Sequence, residues 1–60
     1  MTKKDVLVEQ LALAEIDATF WTAKVKRAVE NTTAWDTAVR NRDDALIKIE
    51  AIKFLLKKED

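Results

Sequence analysis

Six residue types are missing from this 60-residue chain: glycine, proline, serine, histidine, cysteine and tyrosine. Each absence removes a class of structure or chemistry. Without Gly or Pro, tight turns lose their usual residues and strand-rich folds become hard to connect, whereas the abundant Ala, Leu, Glu, Lys and Arg favour helix. Without Cys there is no disulfide, and without Cys or His no zinc site, so a domain this small has no covalent or metal staple. Nucleophilic triads and imidazole acid–base chemistry have no side chains to use. Carboxylates remain, but a glycosidase-like pair needs a cleft that packed helices do not offer. The adjacent acids Asp43 and Asp44 would point in different directions from a helix, and they lack the loop glycine and alternating acids of a calcium site. The expectation is therefore a protein that is not an enzyme and uses no cofactor or metal.

Long apolar runs are missing too, so no segment is expected to span a bilayer. The start, Met1 to Lys4, leads into Asp5, Glu9 and Glu15 instead of an apolar stretch, and no targeting signal is read there. A cytoplasmic setting is expected, compatible with the lack of Cys. Eleven basic and eleven acidic residues give a formal charge of zero. That balance argues against a surface built as a whole to attract nucleic acid or anionic lipid.

What the chain does contain is helix periodicity. The stretch Ala45 to Leu56 carries one apolar stripe through Ala45, Ile49, Ile52 and Leu56, with Leu46 beside it, and a second through Ile47, Ala51, Phe54 and Leu55. A helix that is apolar nearly all round needs partners on more than one side, and 60 residues supply at most one partner helix. Upstream, Leu7, Leu11, Ala14, Ala18, Trp21, Val25 and Ala28 repeat at intervals of four and three, the signature of a helix packed lengthwise on another.

Thr2 to Asp5 and Thr33 to Asp36 share one pattern, a Thr followed three residues later by a carboxylate, which reads as a helix start. Asn31-Thr32-Thr33 is the weakest helix-forming run mid-chain, and Asn tolerates the left-handed conformation. The expected architecture is a single all-α domain covering the whole chain, with helix 1 at about residues 3 to 30, a turn at about 31 to 33 and helix 2 at about 34 to 58. The two helices form an antiparallel hairpin that self-associates, most simply as a dimeric four-helix bundle. One unbroken helix in a long coiled coil is the competing architecture, because the heptad phase continues through Trp35, Arg42, Ile49 and Leu56. A break at Asn41 to Asp44, giving three helices, is the weaker third. Folding back places Ala14 opposite Ile49, Ala18 opposite Leu46 and Ala28 opposite Trp35, and brings Lys24 and Arg27 near Asp36.

Two surfaces stand out as candidate sites. Val6, Leu13, Ile16 and Phe20 on helix 1, with Ile47, Ala51, Phe54 and Leu55 on helix 2, lie off the main seam and read as an oligomer interface. Arg42 interrupts the seam level with Trp21, and its plainer role is to lay its stem on the indole while its charge reaches water, Asp17 or Asp43. Its functional role would be to join Trp21, Lys24, Trp35 and Arg40 in a cationic, aromatic pocket for a nucleotide-like anion. The short basic cluster Lys24, Lys26 and Arg27, with Arg40, supports a weaker nucleic-acid-binding alternative. The leading functional expectation is a small accessory protein that binds itself and another protein, as an interaction, regulatory or inhibitory module.

Overall fold

A computed structural model of the chain describes residues 2–59, and it is a hairpin of two long helices packed against each other. Helix α1 spans Lys3–Arg27 and helix α2 spans Thr33–Glu59, and the described residues contain no strand. The whole is a rod of 42 × 15 × 12 Å, its long dimension set by 27 residues of α2 rising about 1.5 Å each.

Local chemistry fixes the ends. Thr2 caps α1 by a reciprocal arrangement: the Asp5 backbone N–H donates to the Thr2 hydroxyl at 3.2 Å, and the Thr2 N–H donates to the Asp5 carboxylate at 3.3 Å. Two otherwise orphaned donors are thus satisfied at once. At the other end, Lys24, Lys26 and Arg27 place positive charge on the negative pole of the helix.

The connection differs from the expectation at two points. Helix α1 stops at Arg27 and not near residue 30, with Ala28 extended and its N–H still bonded to the Lys24 carbonyl at 3.0 Å. Helix α2 is capped by Thr32 and not by Thr33: the Trp35 N–H donates to the Thr32 hydroxyl at 3.2 Å. One cause accounts for both. The Val29 carbonyl accepts the Thr32 N–H at 3.3 Å and the Thr32 hydroxyl at 2.6 Å, so it closes a turn instead of continuing a helix. Within that turn Asn31 takes a φ of 66°, the left-handed conformation that a chain without glycine assigns to asparagine.

Packing follows the heptad seam closely. Every position of the first seam, from Leu7 on α1 to Ala28 just beyond it, is buried or half-buried, and so are Trp35, Arg42, Ala45, Ile49, Ile52 and Leu56 on α2, while Leu46 beside them is exposed. The buried residues are Ala14, Ala18, Ala38, Ala45 and Ile49; Ala14, Ala18, Ala45 and Ile49 form one cluster, against which Leu11 and Ile52 pack. Ala45, instead of Leu46, joins Ala18 in the core; Leu46 stands on the flank, 46% exposed. Alanine at facing layers lets two helix backbones approach closely, and a leucine in the same layer would hold them apart. The price is a thin core, because an alanine methyl contributes about 0.8 kcal/mol where a fully buried Leu, Ile or Phe contributes about 1.5–3.

Candidate functional site

Outside that core stand ten of the chain's large apolar side chains. Val6, Leu13, Ile16 and Phe20 on α1, and Ile47, Phe54 and Leu55 on α2, are all exposed on the single hairpin, with Ile16 at 64% and Ile47 at 67%. Ala51, between them in sequence, is exposed as well. These are the eight positions that the off-seam periodicity singles out. Three more exposed apolar residues escape that pattern. Val8 fits neither stripe, Val29 falls in the connection where helix was expected, and Leu46 was assigned to the seam.

Their distribution along the rod is uneven. Apart from Val29, every exposed large apolar residue lies at residues 6–20 or 46–55, stretches that antiparallel packing sets side by side from the open end of the hairpin to just past its middle. The half near the connection carries Lys24, Lys26, Arg27, Asp36 and Arg40 instead. Some order exists on the outer faces already. The Phe20 and Trp21 rings meet edge to face with centroids 5.0 Å apart, Lys24 Nζ lies 5.3 Å from the Phe20 centroid, and Lys58 Nζ lies 4.8 Å from that of Phe54.

The five residues expected to frame an anion pocket have contacts that lead in different directions. Arg42, half-buried, donates from Nε and Nη2 to the Asp43 carboxylate at 3.3 and 3.1 Å, so its charge is answered by its sequence neighbour. Trp21 lines a groove between the helices with Ala14, Asp17, Asn41, Asp44, Ala45 and Lys48; Arg42 is not among its walls. That groove holds about 180 Å³, below the roughly 300 Å³ at which small-molecule sites begin, and two of its polar walls are carboxylates that repel an anion. Trp35 faces a separate hollow at the connection with Asn31, Thr32, Thr33 and Asp36. Arg40 pairs with Asp36 at 3.6 Å, one turn away on α2, whereas the fold-back reading put Lys24 and Arg27 beside that acid. A partner four residues along the same helix is held in place by the backbone itself and needs no tertiary placement.

No family model, curated protein or solved structure matches the chain. Function must therefore be argued from the surface alone. Among the described residues no group of three or more His, Cys, Asp or Glu side chains comes together, and no helix is long and apolar enough to cross a membrane. What the arrangement can do is bury apolar area: two outer stripes on rigid helices, ringed by charge, are the anatomy of a helix-packing interface.

Proposed function

We propose that this chain is a non-enzymatic helical module that acts by binding. Its hairpins associate through their outer apolar faces, most simply two into a four-helix bundle, and the assembly serves as an interaction, regulatory or inhibitory element for another protein. A cytoplasmic setting belongs to the same reading, in keeping with a chain that relies on no cysteine cross-link.

One observation carries the proposal: among the described residues, ten large apolar side chains stand exposed on the single hairpin, while four of the five buried core residues are alanines. The accessible area gives it a magnitude. The hairpin exposes 4825 Å², whereas a compact protein of 6.9 kDa exposes about 4,000 Å². The excess of about 800 Å² equals one partner's share of a standard protein–protein interface. The nucleotide-like alternative has less beneath it, since Arg42 is already paired with Asp43 and the groove beside Trp21 is small and acidic.

Sedimentation equilibrium tests this reading. At micromolar concentration the chain should sediment at about twice its 6.9 kDa mass or more, and Phe20→Glu combined with Phe54→Glu should shift it toward the monomer. A stable monomer of the unaltered chain, unfolding in one sharp transition, would remove the proposal.

A further inference from the structure

We infer that the self-association proposed above, on which this inference rests, runs through α1, and that the outer flank of α1 pairs antiparallel with the same flank of a second copy about a two-fold axis near Ile16. The argument begins with order along one line of the helix. Glu9, Leu13, Ile16, Phe20, Lys24 and Arg27 follow one another at intervals of three and four residues, so they share one face, and all six are exposed on the hairpin. The side of α1 that carries Leu11, Ala14 and Ala18 is already engaged with α2.

The line reads acid, three apolar residues, then two bases. Such an order is complementary to itself only when reversed. With two copies antiparallel, in a register where facing residue numbers add to about 33, Leu13 of one copy faces Phe20 of the other and Ile16 sits at the axis. Glu9 of each copy then meets Lys24 of the other, twice per dimer. A parallel pairing would set Glu9 against Glu9 and Lys24 against Lys24, which is repulsive at both ends.

Two features of the surface prepare it for this contact. Glu15, Ile16, Thr19 and Phe20 border a shallow, open depression at the centre of the line, where the short Thr19 side chain turns back and donates to the Glu15 carbonyl at 3.0 Å. An apolar side chain from the other copy can enter there. Phe20 itself is braced against Trp21, and Lys24 lies over the Phe20 ring, which holds the ammonium beside the apolar centre where Glu9 of the second copy arrives. The outer stripe of α2 is less self-complementary, since Asp43, the acid ahead of Ile47, already accepts from Arg42.

Charge swapping tests the orientation. Glu9→Lys alone and Lys24→Glu alone should each weaken dimerisation about tenfold at low salt, since each turns two attractions into two repulsions. Helicity by circular dichroism, read for each variant at a concentration that keeps it folded, separates loss of pairing from the small loss of helix stability expected at Lys24, which also serves the negative pole of α1. Mixing the two single variants in equal amounts should restore the affinity of the unaltered chain, because in the mixed dimer every position 9 again faces an opposite charge at position 24. If the unaltered chain dimerises but the single variants do so equally well, or the mixture is no tighter than either alone, the antiparallel α1 pairing is wrong and association runs through another face. If the unaltered chain is a monomer throughout, the self-association reading fails first and this inference fails with it.

Discussion

At the residue scale the decisive choice is alanine where a core usually has leucine. Ala14, Ala18, Ala38 and Ala45 are buried, and Ala38, 2% exposed, is the most enclosed of them and has the least room for extra methylenes. Ala38→Leu should therefore destabilise the hairpin by about 1–3 kcal/mol through overpacking, although leucine is nearly as good a helix former and more apolar. Urea denaturation would show it as a lower midpoint. Arg42 gives the opposite expectation. Its guanidinium is partly solvated and its partner Asp43 is more so, and an ion pair of that kind contributes little once side-chain entropy and solvent screening are counted. Arg42→Met, which keeps the stem, should change stability by less than about 0.5 kcal/mol in the same assay. The position of Arg42 on the covered face was legible in the heptad pattern. Its partner was not, because periodicity places a Cα on a face without saying where a long side chain ends.

At the element scale the hairpin depends on two caps and one turn. Thr2 reads directly from the sequence as a cap, since Asp5 three residues on completes the reciprocal pair. The second cap reads from the sequence as Thr33, one residue late, because Thr32 and Thr33 are equivalent in propensity and the spacing from Thr33 to Asp36 favours the later one. What separates them is the Val29 carbonyl, which accepts from both the N–H and the hydroxyl of Thr32 and so commits that residue to the turn. Thr32→Ala should cost about 1 kcal/mol, and Thr33→Ala, inside the first turn of α2, only a few tenths. Thermal melts of the two variants at equal concentration would separate them. An equal loss for both would mean that the cap belongs to neither hydroxyl in particular.

At the scale of the whole molecule the hairpin is long, thin and apolar on the outside, with more surface than its mass requires. A core this slight makes stability depend on what covers the outer faces. If that cover is a second copy, mass action links folding to concentration, and the melting temperature should rise by several degrees for each tenfold increase in protein. A melting temperature independent of concentration over two decades would instead describe a self-sufficient hairpin. The same dependence explains why the candidate site is a pair of helix faces and not a pocket: two helices in contact enclose very little, and only further helices laid against them create an interior.

Sequence alone establishes that this chain is helical and which residues form the covered seam, because a 3.5-residue repeat is a local property. It favours a hairpin over one unbroken helix without excluding the latter, and the turn closed by Val29 and Thr32 settles the choice. The sequence also marked the residues left over on the outside. Only the tertiary structure decided that Ala45 and not Leu46 enters the core, that α1 ends at Arg27, and that Arg42, Trp21 and Trp35 meet different neighbours. The first outcome rests on how closely two backbones approach, a distance that exists only when the second helix is in place. The end of α1 and the pairing of Arg42 rest on short-range contacts, a hydroxyl on a carbonyl three residues back and a guanidinium on its neighbouring carboxylate, which periodicity does not reveal.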